Sequence, residues 1–302
     1  MTEDVIRSLR RRRLYNKVFS LLFMASALVA TITLVVIYST LIYESAGFFQ
    51  HVSIVEFLTS PKWTVLFDEK HFGVLPIFNA TLLTSVIAIA LAAPAGLAAA
   101  IFLSEYASLR IRSVIKPVIE TLSGIPTVVY GYFALYFLTP EFLRLVVPDL
   151  GIHNALATGL MIGVLILPIV ASISDDALLA VPSDLRLGAY ALGARKIDVT
   201  LRIVVPAALS GITASIILAF ARAMGETMIA AIAGGFRPIL TIDVKQSMET
   251  MTAFIAQVAT GDAPQGTIEY QSLFAVGLFL LLTTAVLNFV GLRVVKRWAI
   301  RY

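Results

Sequence analysis

Near the middle of an apolar run from Ala207 to Gly235 stand an arginine and a glutamate four positions apart, Arg222 and Glu226. A charge near the centre of a bilayer costs about 2.5–3.5 kcal/mol on insertion scales, so such groups persist where they meet a wet cavity, a partner or a substrate. Arginine stays ionised, and its planar fork can bind two oxygens of an oxyanion at once. On a continuous helix Glu226 lies one turn from Arg222, close enough to hold the guanidinium and neutralise it when no anion is present. The same spacing also suits a purely structural ion pair that fixes packing. Arg222 and Glu226 are therefore the candidate substrate-path residues, and the chemistry they suggest is anion passage.

The elements around them are membrane helices. Of the 302 residues, 59% are hydrophobic and 14% charged, and several runs reach the length of about 20 residues that crosses hydrocarbon. Spans are expected at 18–43, 74–103, 117–138, 155–173, 207–235 and 272–292, giving an all-α integral membrane protein with six transmembrane helices. Residues 1–17 then form a basic tail, 18–73 a first helix with an outer loop, and 74–302 the core, with an inner loop at 174–206. The first apolar run is too long for the core of a cleaved signal peptide and is expected to stay as a span.

Lysine and arginine concentrate on the cytoplasmic side of membrane proteins. They crowd the amino-terminal tail (Arg7, Arg10 to Arg13, Lys17), the 104–116 loop, the 174–206 loop and the carboxy-terminal tail, and are sparse in the alternate loops. Both termini are thus expected in the cytoplasm of a bacterial plasma membrane. The net charge of +4 reflects this bias, so a nucleic-acid partner is not implied, and membrane lipid is the expected surroundings. Lack of cysteine excludes disulfides and thiolate chemistry. His51, His71 and His153 fall in the outer loops at unrelated spacings, which suits surface or capping roles better than a metal site. No phosphate-cradling glycine loop is present, so no cofactor is expected in this chain and any ATP with its magnesium belongs to another subunit.

Within the spans, Pro94, Pro126 and Pro168 can kink their helices. The pairs Gly159 with Gly163, Gly96 with Ala100 and Ala219 with Ala223 suit close helix approach. Thr81, Thr84, Ser85, Thr127 and Tyr130 offer hydroxyls either to a solute or to their own backbones.

The loop at 174–206 is too long to be structureless and should contain short helices. Pro182-Ser183-Asp184 suits a helix start, Leu185, Ala189 and Leu192 recur at helical spacing, and Gly193 allows a turn. The sequence Gly188-Ala-Tyr-Ala-Leu-Gly193, followed by Ile203-x-Val-Pro206, resembles the EAA loop of ATP-binding-cassette importer permeases. Leu187 stands where that pattern has glutamate. The resemblance implies a coupling helix that docks on an ATPase, with Asp184, Ala189, Gly193, Ile203 and Pro206 as coupling residues and Arg186, Arg195 and Lys196 also facing the partner.

Further segments narrow the likeness: Phe57-Leu-Thr-Ser-Pro-Lys-Trp63, His71-Phe-Gly-Val-Leu-Pro76, Ser123-Gly-Ile-Pro-Thr-Val-Val-Tyr-Gly131, Arg222-Ala-Met-Gly-Glu-Thr-Met228 and Gln257-Val-Ala-Thr-Gly-Asp262. In this order they resemble phosphate transport permeases of the PstC type, from about residue 55 to the carboxy terminus. That resemblance implies a type I ABC importer permease of MetI-like fold, non-enzymatic itself. It implies as partners a PstA-like sister permease, an ATPase dimer and an extracytoplasmic phosphate-binding protein. An importer for molybdate, sulfate or phosphonate is the related alternative, and a proton-coupled anion carrier in which Glu226 titrates is the distant one.

The charge bias gives a direct test of sidedness. Single cysteines placed at Arg110 and Arg195 should react with an impermeant thiol reagent from the cytoplasmic face, and those at Lys70 and Lys245 from the opposite face; labelling of all four from one face would sink the six-span topology.

Overall fold

The computed structural model of the chain describes residues 2–298 and is helical almost throughout. Helix α1 (Thr2–Phe48) is followed by a short α2 (Ile54–Thr59), then α3 (Leu75–Tyr106), α4 (Leu109–Leu122) and α5 (Thr127–Val146). After these come α6 (Ala155–Leu179), α7 (Ser183–Ala191), α8 (Lys196–Ala207) and α9 (Leu209–Met224). A short helical stretch α10 (Ala230–Gly234), α11 (Met251–Gln257) and α12 (Ile268–Trp298) complete the fold.

Four helices are long and apolar enough to cross a membrane unbroken: α1 from Tyr15, α3, α6 and α12 to Arg293. The count reaches six only if two bent pairs are each one span, α4 with α5 at 83° and α8 with α9 at 68°. The expected spans at 117–138 and 207–235 are therefore not straight helices. The first breaks at Gly124-Ile125-Pro126, because proline disfavours helical geometry in the residue before it, and Pro126 instead caps α5. The Tyr130 hydroxyl braces the bend by donating to the Leu122 carbonyl at 2.7 Å. The second run is interrupted at Gly225, past which the chain stays irregular until helix resumes at 228. Pro94 and Pro168, by contrast, lie inside continuous helices.

The centre of the fold is the pairing of α3 with α6, onto which α9 packs; α12 joins α9 to α1. Glycine permits this approach. A Cβ on Gly159 would come within 2.6 Å of Ile87 Cβ and 2.9 Å of the Thr84 carbonyl, and one on Gly96 within 2.8 Å of Val170 Cβ. The hydroxyls of Thr81, Thr84 and Ser85 donate to carbonyls one turn earlier on α3, which satisfies them within the helix. The apolar stretch of α1 is exposed on all sides, the pattern of a helix in contact with lipid.

Both long connections that the charge bias expects outside are structured. An aromatic cluster of Phe48, Phe57, Trp63, Phe72 and Phe254 ties the 49–74 segment to α11, and α11 supplies an apolar helix where only a loop was expected. The 174–206 loop is helical as expected, with α7 beginning at Ser183 and Gly193 at φ +79° making the turn into α8.

Because Gly159 faces backbone as well as side chain, Gly159→Ala should cost about 1–3 kcal/mol of packing strain, whereas Gly188→Ala, with open space around it, should cost nothing. Thermal midpoints of the two purified variants in detergent should differ accordingly; equal midpoints would contradict the α3–α6 contact.

Candidate functional site: a half-open arginine at a helix break

Arg222 lies in the last turn of α9 and Glu226 just beyond it, in the break. The two do not share a continuous helix face, yet the Arg222 Nη1 donates to Glu226 Oε2 at 2.8 Å, because the chain turns at Gly225 and brings the carboxylate back. Their exposures differ sharply. The Arg222 side chain is 42% exposed and that of Glu226 only 3%.

Glu226 holds the break together from inside. Its Oε1 accepts from the Ile229 backbone N–H at 3.4 Å, in the manner of a cap for the helix that resumes there. Its own carbonyl accepts from the Thr252 hydroxyl at 2.7 Å, which in turn lies 3.1 Å from Thr250, the N-cap of α11. Thr81 of α3 accepts from the Met251 N–H at 3.0 Å. The backbone at Glu226 is thus tied to α11, while its carboxylate holds both the guanidinium and the helix that resumes beyond the break.

Arg222 opens into a groove of about 540 Å³ between α4, α6 and α9, lined also by Glu120, Ser123, Ser172 and Leu218. Ser172 donates to Glu120 at 3.1 Å, which draws the second carboxylate towards the α6 wall. The wall therefore presents one open cation among hydroxyls and one partnered carboxylate. Sequence reasoning found Arg222 and Glu226 but not Glu120, Ser123 or Ser172; these line one groove with Arg222 where α4 packs on α6.

A second polar assembly secures α4 to α6. Asp175, with no exposed surface, accepts from Arg112 Nη2 at 2.6 Å and from Lys116 Nζ at 3.0 Å, and Lys116 also reaches Asp176 at 2.8 Å. In the sequence these cations register only as topogenic charge. Their spacing of four on α4, opposite Asp175-Asp176 at the end of an apolar helix, was the available signal.

At the inner end, Ala189 is buried and Ile203 packs beside it in a cluster with Leu178, Val199 and Val204. Asp184 and Pro206 are exposed. Arg186 is not available to a partner, because it donates to the Val181 and Leu178 carbonyls and to Glu105 at 2.6–2.9 Å, pinning α7 beneath α3 and α6. Arg195 pairs with Asp198 at 2.8 Å, and Lys196 lies 4.7 Å from the centroid of Tyr106. What α7 and its turn leave open is mixed: Leu187 is 63% exposed and Leu192 90%, and Asp184 and Arg195 also face solvent.

This fold, with multiple membrane helices around a polar groove and a helical inner loop, is that of a permease subunit. The chain belongs to the family of binding-protein-dependent transport system inner membrane components, whose model matches residues 92–300. Among relatives, it is 36% identical to the probable ABC transporter permease protein YqgH of Bacillus subtilis, over 76% of this chain and 74% of that one. It is 32% identical to the phosphate transport system permease protein PstC of Mesorhizobium japonicum, over 92% of this chain and 89% of that one. In structure it resembles a chain of a bacterial alginate ABC transporter, with a TM-score of 0.64, 16% identity, and coverage of 92% and 95%. It also resembles one of the MetNI methionine ABC transporter, with a TM-score of 0.56, 17% identity, and coverage of 76% and 95%.

Proposed function

We propose that this chain is the PstC-type permease of an ATP-driven importer of inorganic phosphate, and that Arg222 is its anion contact. The likeness to PstC proteins over nearly the whole chain supports the substrate. The observation that carries the site is the asymmetry of the central pair, a half-open guanidinium held by a sealed carboxylate. One Arg222 Nη is engaged by Glu226, and the rest of the fork faces the groove, where Ser123 and Ser172 add hydroxyls. Phosphate meets a cation already partly neutralised, so it is drawn in without being trapped. A sister permease of PstA type would supply the facing wall.

In this reading residues 74–302 form the translocating core, with 1–17 as a cytoplasmic tail and 18–73 as an added helix and outer segment. Both termini lie in the cytoplasm of the bacterial inner membrane. ATP and its magnesium are bound and hydrolysed by a dimer of separate ATPase subunits, and a phosphate-binding protein delivers from outside. Asp184, Ala189, Gly193, Ile203 and Pro206 serve coupling in two ways. Buried Ala189 and Ile203 hold α7 to the membrane core, while Asp184, with Leu187 and Leu192, presents the docking face.

Two measurements test these assignments. In reconstituted vesicles containing the assembled complex, Arg222→Gln should lower ATP-driven phosphate uptake at least tenfold with complex yield unchanged, and Arg222→Lys should recover only part of it, since the fork is lost. Normal uptake by assembled Arg222→Gln would end the anion-contact assignment. Gly193→Leu meets no steric neighbour but must hold φ +79°, at a cost of about 1–2 kcal/mol per residue forced left-handed. It should leave membrane insertion intact while reducing ATPase association and uptake together, and wild-type coupling in that variant would contradict the docking role.

A further inference from the structure

Away from the central groove, a cavity of about 370 Å³ lies between the outer segment after α2 and the chain from Phe236 to α11. Its lining includes Trp63, Phe67, Phe236, Glu249, Phe254 and Gln257. Phe67 and Phe236 are exposed and form the rim, while Trp63, Phe254 and Glu249 are buried and form the floor. Trp63 is set in place by its edge contact with Phe254, at 4.8 Å between centroids, and by a backbone bridge to Phe72. Glu249 is set by its own N–H, which donates to the Arg237 carbonyl at 3.1 Å.

Two side-chain atoms in this floor have no hydrogen-bond partner among the described residues: Trp63 Nε1, a donor, and Glu249 Oε1, an acceptor. Buried polar atoms are nearly always paired, so two orphans of opposite kind lining one cavity point to a guest that pairs both. Aromatic walls around a carboxylate are the surroundings that favour an organic cation. Burial pushes the Glu249 carboxyl up to about 8, so the empty site is neutral at pH 7 and gains its charge when a cation enters. Charged side chains on the walls and next to them (Lys62, Asp68, Glu69 and Lys70 on one segment, Arg237, Asp243 and Lys245 on the other, Glu269 of α12 bound to Lys70) are not among the lining residues.

We propose that this cavity binds a primary ammonium carrying an oxygen acceptor beside it, an ethanolamine-like group, with the ammonium donating to Glu249 and the oxygen accepting from Trp63 Nε1. A free amino alcohol and the headgroup of phosphatidylethanolamine share that chemistry.

The assembled complex in phosphatidylglycerol nanodiscs should bind radiolabelled ethanolamine saturably at pH 8.5, where Glu249 is ionised and the amine still protonated. Affinity should fall about tenfold per pH unit below 8, as a proton competes for the carboxylate. Ethylamine, which lacks the acceptor, should compete about fivefold less well, the worth of one modest hydrogen bond. Glu249→Gln should weaken binding at least tenfold and Trp63→Phe about fivefold, each with complex yield checked; the pH and ethylamine comparisons need no variant. Nanodiscs containing phosphatidylethanolamine separate the sources: reduced ethanolamine binding identifies the lipid headgroup as occupant, and unchanged binding identifies the free solute. Absence of saturable binding at pH 8.5, or wild-type affinity in Glu249→Gln, would overturn the proposal.

Discussion

The organisation of this permease depends on a carboxylate kept out of solvent at a point where a helix stops. Glu226 does three jobs from one position. It accepts from Arg222, it caps the helix that resumes at 228, and through its carbonyl it holds Thr252. Removing a partner from a buried ion is far costlier than its net contribution, because the other member is left unpaired. The break is therefore over-determined, and the guanidinium keeps a defined direction although nearly half of it is open. A straight helix would have put both charges on one face with similar exposure, and the groove would have received a neutral pair.

Around that point the structure divides its labour by side-chain type. Small residues bring α3 and α6 so close that a Cβ added at Gly96, Gly159 or Gly163 would run into Val170, Ile87 or the Ala88 carbonyl. Polar contacts are placed at the edges of this slab. Asp175 receives Arg112 and Lys116 from α4, and Glu105 receives Arg186 from α7. The 174–206 segment is thus tied to the membrane helices through charge-assisted bonds at the ends of α3 and α6.

Much of this was legible in the sequence. Apolar run length located α1, α3, α6 and α12, and the glycine pairs pointed to the α3–α6 contact. The EAA-like spacing located the turn at Gly193. The two bent pairs were not legible as such, since hydropathy reports burial in lipid and is blind to direction; Pro126 was visible, but a proline within an apolar run is equally compatible with a continuous helix, as Pro94 and Pro168 demonstrate, and the α8–α9 bend at Ala208 falls inside an apolar run. For the same reason the site was half seen. Arg222 and Glu226 stood out as charges in an apolar run, whereas Ser172 and Glu120 acquire meaning only once the packing of α4 on α6 brings them to the same groove. Arg186 was misassigned to a partner surface because its neighbours in space, Glu105 and the end of α6, are distant in sequence.

The exposed tip of the inner loop has a consequence of its own. With Leu187 and Leu192 open beside Asp184, Arg195 and Arg202, whose side chains also stand in solvent, a partner seated there would be held both by removing apolar surface from water and by charge. The apolar part of such a contact loosens on cooling, and the charged part weakens as salt rises. Temperature and ionic strength would then act on one seat through different parts of it.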